Sequence, residues 1–306
     1  MRRLGRSIVI FLTLFLAGNA ILGCLLDLAR DRTQDRAHIT SKLRYLRDSV
    51  DAELICIGTS RTLYHCVPQV LEDSLGYSVY NAGINNSQEI YSQWFVLNLI
   101  LSHHTPKLIL LDLYDRDFPI EPGWTPFARN GFFSPFMGTN DSADVIFHAA
   151  GDYWYYRFSS GYRYNTRAME IIEGLWLRGD ERYYDRGFTY RGKRKYDELP
   201  YPSERFGPVD SAKIRYIKRF ADLCKRSGIN LVLTVAPVYK DFGEGAFAPL
   251  AQMAEEMGIP FLNYYERKLF HDSTDYFNDY MHLDSAGAVA YSRVLASDLR
   301  KLGFGR

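Results

Sequence analysis

The segment ELICIG, residues 53–58, is short and almost wholly apolar, and it leads through glycine into Thr59, Ser60 and Arg61. An apolar run of this length bounded by glycine is typical of a strand buried on both faces of a parallel sheet. A turn from such a strand into a helix can expose a hydroxyl beside backbone N–H groups. The segment therefore predicts a first strand and a candidate nucleophile, Ser60, although small residues are also common at such turns without any catalytic role.

Strands and helices alternate on both sides of the long middle part of the chain. The predicted strands are 53–58, 77–81, 107–113, 230–236 and 259–264, and the predicted helices are one from about Pro68 to before Gly76, 88–103, 211–227, 247–257 and 284–302. This alternation predicts an α/β fold with a doubly wound parallel sheet, the three-layer arrangement of flavodoxin-like proteins. Ligands of such sheets bind beyond the carboxyl ends of the strands, where Ser60 lies.

A second motif, Asp279-Tyr280-Met281-His282, stands just before the last predicted helix. A carboxylate three residues before a histidine can orient the imidazole, whose other nitrogen can then accept a proton from a serine. By itself, His282 is more typical of a histidine that enters a helix or fills a core.

Ser60 after the first strand and Asp-x-x-His before the last helix together resemble the SGNH (GDSL-type) hydrolase superfamily. The resemblance covers about residues 53–116 and 229–302. It implies that Ser60 is the nucleophile, that His282 is the general base, and that Asp279 orients His282. The sequence Gly-Thr-Ser-Arg differs from the usual Gly-Asp-Ser-Leu, while related cell-envelope members often carry Gly-Ser-Ser-Arg.

The resemblance also implies donors for an oxyanion hole. The second block of the family supplies a glycine N–H five residues after an asparagine, and counted from Asn81 this position is Asn86, a residue type that tolerates left-handed backbone. Gly83 is a further candidate for oxyanion or substrate binding. The asparagine of the third block falls at or next to Arg116, whose guanidinium could hold an oxyanion or an anionic group of a substrate.

The amino end predicts a membrane anchor. Arg2, Arg3 and Arg6 precede an apolar run from Ile8 to about Leu28, which is long enough to cross a bilayer with its basic end in the cytoplasm. The domain after it would then lie outside the cytoplasm, on a single-pass protein of the cell membrane. Alternatives are a cleaved signal, a lipoprotein anchored through Cys24, or a buried helix of a soluble protein.

The predicted organisation has three parts. Residues 1–30 form the anchor or signal, residues 31–52 a stalk or amphipathic helix, and residues 53–306 the α/β domain with an insertion at about 118–210. The insertion is rich in aromatic residues in a chain that is 15% aromatic. Such rings suit a sugar-stacking surface or a membrane interface, or they form a small core of the insertion.

Several classes of function are disfavoured. The formal charge of +1 gives no field that would attract nucleic acid, so no nucleic-acid partner is expected. The four cysteines lack metal-ligand spacing, and we predict no metal. The Gly-x-x-x-x-Gly-Lys spacing of a phosphate loop is absent, which argues against a nucleotide-binding protein, and no organic cofactor is predicted.

The tether, the SGNH-like motifs and the aromatic insertion favour a serine esterase or O-acyltransferase, such as an O-acetyltransferase, that acts on a cell-envelope or exported polysaccharide in the periplasm or at the cell surface. Its expected partners are an acylated glycan substrate, the membrane and a membrane acyltransferase. The alternative is a non-catalytic SGNH-like subunit that binds glycan or scaffolds such an acyltransferase.

Overall fold

The computed structural model describes residues 2–33, 38–85, 89–120, 130–165, 167–176, 184–193, 203, 207–271 and 273–306. The described strands are β1 (Leu54–Ile57), β2 (Val79–Asn81), β3 (Leu108–Asp112), β4 (Tyr184–Asp185), β5 (Phe188–Thr189), β6 (Asn230–Val235) and β7 (Phe261–Asn263). Five of them form one parallel sheet in the order β2-β1-β3-β6-β7, while β4 and β5 form a separate antiparallel hairpin. The predicted α/β fold with a parallel sheet is confirmed.

The helices also follow the prediction closely where it was made. They are α1 (Arg2–Arg30), α2 (Ile39–Asp48), α3 (Ser60–His65), α4 (Pro68–Leu75), α5 (Ile90–Leu101), α6 (Asp141–Ala150), α7 (Tyr153–Phe158), α8 (Ser160–Tyr164), α9 (Ala168–Trp176), α10 (Ser211–Arg226), α11 (Ala248–Met257) and α12 (Ser285–Lys301). Short 3₁₀ turns lie at Asn130–Phe136 and Thr274–Tyr276.

Side chains alternate between the two faces along each strand, and helices cover both faces of the sheet. In β1, Leu54 and Cys56 join the core beneath α4 and α12, and Ile55 and Ile57 join the core beneath α2, α5, α10 and α11. All four β1 side chains are buried. This gives three layers, helices over sheet over helices, and it explains why β1 is apolar throughout rather than alternating with polar residues.

The turn after β1 is tight. A Cβ atom added to Gly58 would lie 2.0 Å from Thr62 Oγ1 and 3.1 Å from the carbonyl oxygen of Asp112. The Gly58 carbonyl accepts a hydrogen bond from Ile84 N at 3.1 Å, which ties the loops after β1 and β2 together. Glycine at this position therefore lets α3 start directly above the sheet edge.

The aromatic residues of the insertion divide into two groups. Phe133, Phe136 and Phe147 are buried in the main core, where the first and third contact the ring of Phe95. A second group is exposed on α7, α8 and α9, and consists of Trp154, Tyr155, Phe158, Tyr162 and Trp176. The insertion therefore forms part of a core and also presents rings to its surroundings.

Helix α1 is long and apolar enough to cross a membrane, and only 6% of its most apolar window is buried inside the protein. By contrast, α2, in the segment predicted as a stalk or amphipathic helix, packs Leu43 and Leu46 into the main core. The four cysteines are free thiols, three of them buried and Cys24 exposed on α1.

Candidate functional site

Ser60, His282 and Asp279, predicted from two distant motifs, form one hydrogen-bonded chain. Ser60 Oγ lies 2.9 Å from His282 Nε2, and His282 Nδ1 lies 3.0 Å from both carboxylate oxygens of Asp279. The hydroxyl and the imidazole are separated by 222 positions in sequence. This is the order of groups through which a serine is activated as a nucleophile.

Local structure explains how each member is held. Ser60 is the first residue of α3, so its hydroxyl stands at the carboxyl edge of the sheet, beside backbone N–H groups of the first helical turn that have no acceptor within the helix. Asp279 Oδ1 accepts hydrogen bonds from the backbone nitrogens of Met281 and His282 at 2.8 and 2.9 Å. One carboxylate thus closes the turn and orients the imidazole that the turn carries.

The electrostatics of Asp279 favour its ionised form. Burial alone would raise the pKa of this carboxyl, but the hydrogen bond and charge of His282, the Met281 N–H and the charge of Arg191 together hold the pKa below its usual value. A carboxylate that stays charged can stabilise the imidazolium formed when a histidine accepts a proton.

Arg191, which the sequence analysis did not single out, belongs to the insertion and reaches this site. Its Nη2 lies 2.9 Å from Asp279 Oδ2, and its guanidinium lies 4.9 Å from the centre of the Tyr64 ring. The backbone around it is also fixed, because Ser285 donates to the Arg191 carbonyl through both its N–H and its hydroxyl, at 2.9 and 2.6 Å. The insertion therefore places a cation beside the Asp279 carboxylate, the last member of the Ser60–His282–Asp279 triad.

Aromatic groups surround the imidazole. Tyr64 meets the His282 ring edge to face, with the centroids 5.6 Å apart. Burial raises the pKa of Tyr64, so this ring presents a neutral phenol to the site. Beneath it, His65 Nε2 accepts the N–H of Leu283 at 3.0 Å, which anchors the residue that follows His282. Burial, and then the charge of Arg61, place the pKa of His65 well below its usual value.

Arg61, the residue after Ser60, is buried and links the start of α3 to the sheet. Its side chain is fully buried, donates to the carbonyl of Ala236 after β6, lies 3.9 Å from the Asp112 carboxylate at the end of β3, and stacks on Tyr114 at 4.1 Å. Asp112 in turn accepts the Ala236 N–H at 2.8 Å. These contacts tie α3, and with it Ser60, to the ends of two strands.

The candidates for oxyanion or substrate binding are placed differently. Asn86 lies outside the described residues. The Gly83 N–H donates to Asn81 Oδ1 at 2.9 Å, and a Cβ atom at Gly83 would lie 2.3 Å from the backbone nitrogen of Leu63. Arg116 lies half-buried in the loop after β3, and its carbonyl accepts a hydrogen bond from Lys213 at 2.8 Å. Their roles in binding remain predictions.

Sequence reasoning missed Arg191, Tyr64 and His65 for different reasons. Arg191 carries no motif and meets Asp279 only through the tertiary fold. Tyr64 lies four residues after Ser60 on a helix, so a helical projection from the nucleophile would have placed it near the site, whereas His65 lies on another face and meets the site only through the loop of Leu283.

Comparisons with known proteins give one weak structural likeness. No family model matches the sequence, and no curated protein matches it. Among solved structures, the chain is similar to a candidate acylhydrolase from Bacteroides fragilis, with 15% sequence identity, a TM-score of 0.41, and coverage of 88% of this chain and 99% of that one. This likeness is too weak to support a statement about activity, which depends on the geometry around Ser60 instead.

Proposed function

We propose that this chain is a membrane-tethered, SGNH-like serine esterase or O-acyltransferase that acts on acyl groups of a cell-envelope or exported polysaccharide. The observation that carries the proposal is the continuous chain from Ser60 Oγ through the His282 ring to Asp279. A serine, a histidine and a carboxylate in this order can carry out acyl transfer at neutral pH without a metal.

In the proposed reaction, Ser60 Oγ attacks the carbonyl carbon of an acyl ester while His282 Nε2 takes the hydroxyl proton. Collapse of the tetrahedral intermediate breaks the bond to the sugar oxygen, which receives that proton and leaves as an alcohol. Water or a second sugar hydroxyl then attacks the acyl-serine, with His282 as base again. Hydrolysis and transfer differ only in this last acceptor.

The oxyanion requires donors close to Ser60. The first N–H groups of α3 are the donors best placed by the local structure, because they lie in the same turn as the nucleophile. Asn86 and Arg116 are proposed to complete the hole or to bind the substrate, as the family resemblance implies. A glycan could stack on Tyr64, which contacts the His282 ring, and on the exposed Tyr190, which precedes Arg191 in sequence.

A second candidate is a non-catalytic subunit that binds glycan or scaffolds a membrane acyltransferase. It is favoured by the Gly83 N–H, which is already engaged by Asn81, and by Arg191, whose charge competes with His282 for the Asp279 carboxylate. In this reading, the site would hold an acylated sugar without forming an acyl-enzyme.

The deciding experiment uses the full chain in detergent micelles with a fluorophosphonate probe and p-nitrophenyl acetate. Wild type, Ser60→Ala and a control, Ser227→Ala, are compared. Ser227 lies at the end of α10, just before the amino end of β6 and therefore at the opposite edge of the sheet. We expect labelling and ester hydrolysis in wild type and Ser227→Ala, and neither in Ser60→Ala.

Two other outcomes contradict the esterase proposal. Labelling that survives in Ser60→Ala places the nucleophile elsewhere. Absence of labelling in folded wild type, together with binding of an acetylated glycan, supports the non-catalytic subunit.

A further inference from the structure

The charged residues of α1 indicate how deep its other residues would lie in a membrane. No charged residue lies between Arg6 and Asp27, and residues 7–26 span about 30 Å of helix, the thickness of a hydrocarbon core. If α1 crosses a membrane, Asp27 therefore marks one boundary. Asn19, eight positions earlier, lies about 12 Å inside that boundary.

At the depth of Asn19, α1 contacts the insertion. Asn19 Nδ2 donates to the carbonyl of Phe158 at 3.0 Å, and Asn19 Oδ1 accepts the N–H of Ser160 at 2.8 Å. One helical turn further along, Gly23 lets Ser160 approach closely, since a Cβ atom there would lie 2.5 Å from Ser160 Oγ. The asparagine and the glycine thus form one face of α1 that receives the junction between α7 and α8.

Asn19 forms hydrogen bonds with backbone groups that lipid could not satisfy. Ser159 separates the two short helices in an extended conformation, and the Phe158 carbonyl and Ser160 N–H flank it. Non-helical backbone at membrane depth is tolerated only where protein satisfies its polar groups. A lone asparagine in a spanning helix is likewise costly unless it finds such partners.

The other end of α8 lies at the boundary. Asp27 pairs with Arg163 and Arg30 at 3.0 and 2.9 Å and also accepts the Tyr164 hydroxyl. This cluster of charges is suited to the headgroup region, where the apolar run of α1 ends. Helix α8 has five residues and spans about 7.5 Å, and the side chains of Arg163 and Tyr164 cover the remaining distance to Asp27.

The rings next to the junction are exposed in the isolated protein. Phe158 is 69% exposed and Trp154 is 60% exposed, and the two rings stack at 5.5 Å with an interplanar angle of 10°. Tyr155, on the same helix, is 64% exposed. Because the Phe158 carbonyl is fixed to Asn19, its ring cannot lie far from the same depth.

From this geometry we infer that the α7–α8 junction inserts into the outer half of the lipid bilayer, with Phe158 and Trp154 in contact with acyl chains. The inference rests on the proposed membrane tether, and the occupant of this surface is the bilayer itself. The domain then sits on the membrane as a body fixed at two places, α1 and the junction, rather than swinging from a flexible stalk.

The test uses the full chain in vesicles of phosphatidylethanolamine and phosphatidylglycerol. Cys24→Ser removes the exposed thiol, the other native cysteines being buried, and single cysteines at Leu14, Phe158 or Val209 then carry a nitroxide. Leu14 reports the tether and the exposed Val209 reports the aqueous surface. We expect the ratio of collisions with oxygen to collisions with an aqueous nickel chelate to be several-fold higher at 158 than at 209, and similar to that at 14.

The outcomes distinguish insertion of the α7–α8 junction from the membrane tether formed by α1. A label at 158 that resembles the one at 209, while the label at 14 lies in lipid, overturns the insertion of the junction alone. A label at 14 that contacts water overturns the tether, and the insertion with it. Neither readout depends on Ser60 chemistry.

A second variant tests how the junction is held. Asn19→Leu keeps α1 apolar but removes both hydrogen bonds to the junction. We expect the label at 158 to become measurably more mobile while it stays in contact with oxygen. Unchanged mobility would show that Asn19 does not anchor the junction and would contradict the depth assigned to it.

Discussion

We expect His65 to make the loop that carries His282 sensitive to acid. It is fully buried beneath the loop, and its Nε2 accepts the Leu283 N–H at 3.0 Å, directly after His282 in the chain. A protonated ring cannot accept this hydrogen bond. Burial and the charge of Arg61 accordingly place the pKa of His65 well below its usual value of 6.5.

The sign and size of the effect follow from linkage. Between the unfolded-state pKa and the lower folded-state pKa, the unfolded chain binds a proton at this histidine that the folded chain does not, so the free energy of unfolding falls as the pH falls. With an unfolded-state pKa near 6.5, and a folded-state ring that stays neutral down to pH 5, the loss contributed by this one group between pH 7 and pH 5 is about 2 kcal/mol.

The assay compares wild type with His65→Gln by urea unfolding of the full chain in detergent micelles at pH 7 and pH 5. The glutamine carbonyl can accept the Leu283 N–H but does not titrate. We expect wild type to lose about 2 kcal/mol more than the variant between the two pH values. The exposed His103, at the end of α5, provides the control, and His103→Gln should behave as wild type does. Equal losses in wild type and His65→Gln would refute the reasoning.

Three further predictions concern the site. In Arg191→Met the pKa of Asp279 should rise toward its usual value, measured by NMR titration of the carboxyl carbon, with only about 0.5 kcal/mol lost in urea unfolding because the pair is partly exposed; an unchanged Asp279 pKa would contradict this. Asp112→Ala leaves the buried Arg61 charge without its carboxylate partner. It should lower the free energy of unfolding in urea by about 3–5 kcal/mol, and a loss below about 1 kcal/mol would count against the pairing. Gly83→Ala brings a methyl group within 2.3 Å of the Leu63 backbone nitrogen in α3. It should lower the free energy of unfolding by about 2 kcal/mol and reduce fluorophosphonate labelling at Ser60. Full labelling would show that the loop of Gly83 moves aside freely.

The sequence predicted the sheet well because its strands are buried on both faces. In the predicted run 107–113, every residue after the exposed Lys107 is buried, so apolar content alone predicts a strand, and the structure places β3 at Leu108–Asp112. The second strand was predicted as 77–81 and is only Val79–Asn81, because Tyr77 and Ser78 precede the ladder with β1. Local pattern thus located the strands but not their ends.

The meeting of Ser60 with His282 was predictable for a related reason. Both lie in loops at the carboxyl ends of a parallel sheet, and the topology of such sheets brings these loops to one edge. Arg191 was not predictable, because its place depends on how the hairpin of β4 and β5 docks beside β2. That docking is set by contacts such as Asn81 N to the Arg186 carbonyl at 2.9 Å, which no local pattern encodes.

The insertion joins two places that the sequence presents as separate. Near its carboxyl end, Arg191 contacts the Asp279 carboxylate, and in its middle, Ser160 contacts Asn19 on α1. Its helix α9 also touches α2, whose Thr40 N–H donates to Glu170 at 2.9 Å. Since α2 belongs to the main core, the insertion is held by the core, the active-site loop and α1 together. Its aromatic surface is therefore not an independent module, because a change in how the insertion is held at α1 would also act on the arginine that pairs with Asp279.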